Sequence, residues 1–140
     1  MNDMEITIFV DGSVRKASQA DSRGAGKWRF IAMTDAMRLM EDHTEEAANQ
    51  TVPETELKAL RSALSWLQST ATNKSGLVVW IFCDSELVVR WMSGAYAVRA
   101  ENILPLYADC KARFAVLMRL GCTIKVQKIS GRENMAHVEA

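Results

Sequence analysis

Proline, cysteine and net charge are all in short supply in this chain. Its 140 residues contain two prolines, no low-complexity tract, no internal repeat and no interdomain linker. The three cysteines, Cys83, Cys110 and Cys122, are odd in number and include no CxxC pair. That argues against both a disulfide framework and a structural zinc site. A reducing, cytoplasmic setting is the expectation. Lys+Arg and Asp+Glu both number 17, so the formal net charge is zero. Attachment to nucleic acid by bulk charge alone is thereby excluded, although a local basic patch is not. No apolar run is long enough to cross a bilayer. The first residues include Asp3 and Glu5, without the basic n-region of a secretory signal.

What is present reads as one folded domain. Apolar residues make up 49% of the chain and charged residues 24%, which places it among globular proteins of a size that buries one core. Residues 4–10, rich in Ile, Phe and Val, predict a strand. "DGSVRKASQADSRGAG", residues 11–26, reads as a polar loop. "GKWRFIAMT" and "AMRLMEDHTEE" predict two antiparallel strands turning at Thr34-Asp35-Ala36. From Pro53 the period changes: Leu57, Leu60, Leu64 and Leu67 lie at helical spacing, with Ala59 and Ala63 on the same flank. A helix over about 53–70 follows, with Thr51 as its cap and Pro53 in its first turn. "LVVWIFC", residues 77–83, alternates little, as expected of a strand covered on both faces. Residues 85–93 read helical, 103–120 form a longer helix ended by Gly121, and "CTIKVQKIS" is a last strand. Trp66 and Trp80 are expected in packed positions, and the methionines as gap fillers.

Two of these strands finish on an aspartate: "MEITIFVDGS" on Asp11 and "GLVVWIFCDSELVV" on Asp84. A helix between two strands supplies the crossover that makes them parallel neighbours. Adjacent parallel strands would set Asp11 and Asp84 side by side at the carboxyl edge of the sheet, where such folds bind ligands. Glu56 precedes the apolar stripe by one step and points toward the sheet from the expected first turn of its helix. Three converging carboxylates repel one another unless a divalent cation lies among them, and Mg²⁺ accepts such oxygen ligands. Each acid taken alone has an ordinary explanation: a turn at Asp11-Gly12, a helix cap at Asp84-Ser85, dipole compensation at Glu56. The order strand–Asp, helix–Glu, strand–Asp is what favours a shared site.

At these residues the chain resembles the type 1 ribonuclease H family. "IFVDGS" is similar to the first catalytic strand, "TVPETELKALRSAL" to the helix carrying the catalytic glutamate, and "IFCDSELVVRWMSGAY" to the third motif. "ENILPLY" and "ISGREN" resemble the later helix start and the loop before the C-terminal helix. The resemblance spans essentially the whole chain. It implies an α/β fold, a mixed five-stranded sheet with helices on both faces, in one domain over 1–140 that ends just before or within the family's C-terminal helix. It also implies hydrolysis of the RNA strand of RNA–DNA hybrids with two Mg²⁺ ions, Mn²⁺ being the substitute, by a monomer. Asp11, Glu56 and Asp84 correspond to three of the family's four catalytic carboxylates.

The chain departs from the family at the fourth. The family places an Asp in an Ala-Asp-x-Leu-Ala-like stretch, whereas this chain ends "GRENMAHVEA". One alignment puts His137 in that slot; another makes Ala140 the family's alanine, so that the aspartate would follow it. Glu139 is the nearest carboxylate able to stand in. His137 is also readable as a metal ligand, a proton shuttle or an ordinary surface histidine. Arg132 stands where many members carry a loop histidine, and Val52-Pro53 where many carry an Asn-Asn pair. Residues 93–102 contain Arg99 as their one basic residue, so a basic protrusion is absent and weaker hybrid binding, with a shallow salt dependence, is expected. Gly12, Ser13, Arg15, Lys16, Ser85, Glu86, Arg132 and Asn134 are candidate substrate contacts, or else plain loop residues. Two further readings stand beside the enzyme: a ribonuclease-H-like binding module that cleaves poorly for want of a fourth ligand, and another nuclease or strand-transfer enzyme on the same scaffold.

Overall fold

A computed structural model describes residues 4–139 of the chain. The elements follow the order β1 (Glu5–Arg15), β2 (Gly24–Thr34), β3 (Leu39–Gln50), α1 (Val52–Ser69), β4 (Val78–Cys83), α2 (Glu86–Ser93), α3 (Leu104–Arg119) and β5 (Thr123–Lys128). The five strands form one sheet in the order β3-β2-β1-β4-β5. β1, β2 and β3 pair antiparallel, and β4 is parallel to both β1 and β5. The mixed sheet matches the architecture expected from the sequence.

One expectation needs correction. Residues 11–15 are not loop: β1 runs on to Arg15, and β2 starts at Gly24. Ser13 and Arg15 alternate with Gly12 and Val14 along this extension, and cross-strand pairing with β2 (Ser13 opposite Lys27, Arg15 opposite Ala25) holds it. Its polar composition reads as loop because pairing with β2, rather than burial of apolar side chains, keeps it extended.

α1 forms where its apolar stripe predicts, and its start is unusually well defined. Thr51 Oγ1 accepts the Glu54 amide at 3.4 Å while the Glu54 carboxylate accepts the Thr51 amide at 2.7 Å, a reciprocal cap. Arg23 binds the same carboxylate at 2.8 Å, joining the approach to β2 to the helix start. Loss of such a cap typically costs about 1 kcal/mol. Leu57, Leu60, Leu64 and Leu67 are fully buried against Ile6, Ile8 and Val10 of β1, Phe30 and Ala32 of β2, and Val79 and Ile81 of β4. α3 closes the same layer with Leu106, Cys110 and Leu117. All three cysteines are free and buried, and burial pushes the Cys83 and Cys110 thiols up to about 12.

The other face of the sheet is more thinly covered. Phe9 and Phe82 stack there at 5.6 Å between centroids, and Ala136 packs on Ile31 and Met33. β4 therefore alternates between buried and half-buried residues instead of being sealed on both sides. Trp80 lies on the half-covered face with the Lys125 ammonium 4.7 Å from its ring. Trp66 is also half-buried, whereas Trp28 and Trp91 are the buried tryptophans. The methionines divide as well: Met33 and Met92 are buried, while Met37, Met118 and Met135 are exposed. β3 is an edge strand, mostly exposed, carrying Glu41, Asp42, Glu45 and Glu46. No helix among the described residues is long and apolar enough to cross a membrane.

Candidate active site

The site arises where the sheet splits. β1 and β4 pair in parallel only as far as Val10 opposite Cys83, while β1 continues beside β2. The next residue on each strand, Asp11 and Asp84, stands at the fork. The alternation of β1 puts Val10 and Gly12 on the α1 side of the sheet, and Gly12 lies directly under that helix. A Cβ there would overlap the Thr55 hydroxyl and stand 2.6 Å from the Thr55 carbonyl carbon and 2.7 Å from the Glu56 nitrogen. Only a residue without a side chain lets α1 come this near, and the approach carries Glu56 to the fork.

Asp11, Glu56 and Asp84 each offer a carboxylate oxygen within 4.8 Å of the others. Asp11 and Glu56 are buried, and Asp84 is half-buried. Glu56 lies just past the first turn; Glu54 is the first-turn acid and makes the cap. Burial, then the negative charges of Asp84 and Asp11, push the Glu56 carboxyl up to about 8, against a weaker pull from a Ser85 hydrogen bond. Burial also raises Asp11, opposed chiefly by the hydrogen bond it accepts from the Val138 amide. Among the described residues, no Lys or Arg pairs with any of the three acids.

The segment after β5 folds back over the fork. Asn134 is buried, and its side-chain amide donates to the Val10 carbonyl at 2.9 Å and toward Asp84 Oδ2 at 3.5 Å. Its own Oδ1 accepts the Ala136 amide at 3.0 Å. The Val138 amide donates to Asp11 Oδ2 at 2.8 Å. Between these anchors His137 sets Nδ1 at 3.6 Å from Asp11 Oδ2 while its side chain stays 58% exposed. Of the two residues considered for the fourth position, His137 is thus the one beside Asp11. Glu139 lies outside the acid cluster, lining a hollow of about 300 Å³ with Lys27, Arg29 and His137. Ala140 lies outside the described residues.

The candidate substrate contacts separate into two groups. Ser85 caps α2, accepting the Val88 amide at 3.2 Å, Gly12 is a packing position and Asn134 is a buried brace. Glu86 pairs with Arg90 on α2. Ser13 and Arg15 instead line an open hollow of about 490 Å³ with Lys27 and Glu46. Lys16 is exposed just beyond β1, and Arg132 is exposed in a single 3-10 turn, Gly131–Glu133. The bracing by Asn134 and the Val138 amide is not apparent from the sequence, because it depends on a long-range return of the chain. "ISGREN" marks the segment but not its destination.

A forked mixed sheet with three acids at the fork, backed by a crossover helix, defines a ribonuclease H-like α/β protein. No protein-family model matches the chain, and no curated protein matches it either. Solved structures do. LC11-RNase H1 in complex with an RNA/DNA hybrid is 21% identical, with a TM-score of 0.81 over 93% of this chain and 88% of that one. The N-terminal RNase H domain of a Mycobacterium tuberculosis protein is 20% identical, with a TM-score of 0.78 over 94% and 86%. RNase H1 from the halophilic archaeon Halobacterium salinarum is 14% identical, with a TM-score of 0.77 over 94% and 90%. The chain has the ribonuclease H-like fold, and its architecture is that of type 1 RNase H domains.

Proposed function

We propose that this chain is a metal-dependent ribonuclease H, cleaving the RNA strand of RNA–DNA hybrids as a cytoplasmic monomer. The observation that carries the reading is the meeting of Asp11, Glu56 and Asp84 within 4.8 Å of one another, two of them buried and none paired with Lys or Arg among the described residues. Such a cluster is electrostatically unfavourable alone and fits a hard divalent cation, whose charge offsets the repulsion and whose preferred donors are oxygens. Mg²⁺ suits it, with Mn²⁺ as a substitute, and two ions are expected once substrate is bound. When bound, such ions activate a water and stabilise the leaving oxygen of a phosphodiester. The chain's own part is positional. Asp11 stands between the other acids and the returning segment, and Asp11, Glu56 and Asp84 would together hold the ions. The Val138 amide and Asn134 hold Asp11 and Asp84 in place. Arg15, Lys16 and Arg132 lie on open surface, available to phosphates and 2′-hydroxyls, whereas the Ser13 hydroxyl is buried. The similarity to a protein captured with an RNA/DNA hybrid supports the substrate class.

A second reading, a hybrid-binding module with little cleavage, is favoured by one observation: an imidazole, not a fourth carboxylate, stands beside Asp11. One assay separates the two. The protein is incubated with labelled hybrid, duplex DNA and duplex RNA, with Mg²⁺, Mn²⁺ or chelator. Metal-dependent cutting of the hybrid's RNA strand alone is the expected result; binding without cutting favours the second reading, and DNA cutting a different nuclease. Asp11→Asn abolishes cleavage and leaves the circular dichroism spectrum native, because an amide oxygen still accepts the Val138 N–H. Full activity in that variant would refute the assignment.

A further inference from the structure

The sheet ends on β3 at one side and β5 at the other, and the two margins differ in charge. β3 carries Glu41, Asp42, Glu45 and Glu46 and no Lys or Arg. From Cys110 to Arg132 the chain has no Asp or Glu, and Lys111, Arg119, Lys125 and Lys128 are exposed along α3 and β5. The backbone of β5 is open on its outer side. Thr123 and Ile129 turn their amides inward, donating to the Leu77 carbonyl at 2.8 Å and the Cys83 carbonyl at 3.0 Å. Alternation along the strand therefore turns the N–H and C=O groups of Ile124, Val126 and Lys128 outward, where they meet no partner among the described residues. An apolar hollow of about 250 Å³ lies beside this edge. Met92 of α2, Phe114 and Met118 of α3, and Ile124 and Val126 of β5 line it together with Lys111. Lys125 lies on the opposite face of the strand, over Trp80. A strand added to β5 sends every second side chain toward the hollow and the others past Lys125.

Charge and pattern together select the occupant. A second β5 would set lysine against lysine. The β3 strand of a second copy has the opposite charge but the wrong order. Leu39, Glu41, His43 and Glu45 share one of its faces and Met40, Asp42, Thr44 and Glu46 the other, so either face would press carboxylates against Met92, Phe114 and Met118 and strip them of water. A polynucleotide brings negative charge but no row of amides to match the outward N–H and C=O groups of β5. We propose that the β5 edge and its hollow receive an extended acidic segment of a partner protein, apolar at every second position and Asp or Glu between, which adds to the sheet beyond β5. The main-chain ladder supplies the attachment, the hollow reads the apolar side chains, and the lysines exclude neutral and basic strands. The edge lies outside the acid cluster, so this function goes beyond the nuclease reading and does not rest on it.

The probe is a blocked synthetic peptide of about seven residues alternating valine with glutamate, a length typical of one strand. It is titrated into the full chain by calorimetry, and amide exchange is followed by nuclear magnetic resonance. The expected result is binding at one site that slows exchange at Ile124, Val126 and Lys128 and weakens as salt is raised. N-methylation of the peptide on one alternate set of amides abolishes binding, and on the other set leaves it, because only one set faces β5. The double variant Lys125→Glu with Lys128→Glu, changed at two exposed positions, binds about tenfold or more weakly. Arg38→Glu, in the turn between β2 and β3, binds as the wild type does. Equal behaviour of the two methylated peptides overturns the proposal, as does equally tight binding of a peptide alternating valine with lysine. Protection of the same three amides by single-stranded DNA but not by the peptide assigns the edge to nucleic acid and also overturns it. So does protection that grows with protein concentration alone, which assigns the edge to a second copy. Hybrid cleavage enters none of these readouts, so failure here leaves the nuclease reading untouched.

Discussion

The backbone nitrogen of Glu56 lies where a side chain on Gly12 would have to go, 2.7 Å from an ideal Cβ. That single close approach links strand to helix and fixes the height at which the Glu56 carboxyl enters the fork. It rests on backbone against backbone, with no flexible side chain able to move aside. The position of one acid is therefore set by the residue that follows another.

Gly12→Ala tests this. The added methyl forces α1 away from β1, and overpacking of this kind costs about 1–3 kcal/mol. The expected outcome is a lower melting temperature together with weaker Mg²⁺ binding, measured by thermal denaturation and calorimetry. An unchanged affinity would mean that helix height does not set the geometry of the acids.

Protonation of Glu56 links stability to pH. Its carboxyl titrates near 8 in the fold, against 4.5 for the ordinary group. Between those values the unfolded chain has released the proton and the folded chain has kept it, so stability of the metal-free protein falls as pH rises through that window. Glu56→Gln removes the penalty. In chelator the variant is expected to be more stable than wild type at pH 8, by on the order of a few kcal/mol, and equal to it near pH 4. Added Mg²⁺ reverses the order at pH 8, because the charged carboxylate is then a ligand. Denaturant titrations at the two pH values check the sign.

Asn134 braces two strands and its own segment with one side chain. Asn134→Leu leaves the buried Val10 carbonyl without its partner, at a cost of about 1–3 kcal/mol. It also releases the fold-back that brings the Val138 amide to Asp11. Hydrogen exchange at Val138 is the local readout: its protection is expected to drop well before that of the β1–β2 ladder. Retained protection there would show that the segment is held by Ala136 and Val138 packing alone.

Much of this arrangement was legible in the sequence, for identifiable reasons. The leucines of α1 keep a helical period because one face meets the sheet, and Thr51 and Pro53 mark its start. The two aspartates were legible because each apolar run stops at the fork where β1 and β4 part, although β1 itself continues past Asp11 to Arg15. The extension of β1 was not, since Ser13 and Arg15 are held by backbone pairing that leaves no apolar signature. Nor was the exposure of β4's second face, because Val78, Trp80 and Phe82 look the same whether or not a layer covers them. His137 appeared as one of two candidates for a vacant position. Only its distance from Asp11 distinguishes it from Glu139, and distances across 126 residues of chain are not written in local composition.

The acidic border strand has a bearing on how two copies of this molecule would meet in crowded solution. An uncapped strand of twelve residues offers backbone donors and acceptors to any neighbour able to dock alongside it. Glu41 and Glu46, beside Asp42 and Glu45 that pair with Arg29 and His43, set like charges against each other when two copies approach along this margin, which disfavours such docking. Acidification that discharges these groups removes the barrier, and the first aggregates to form under those conditions should be joined along this margin.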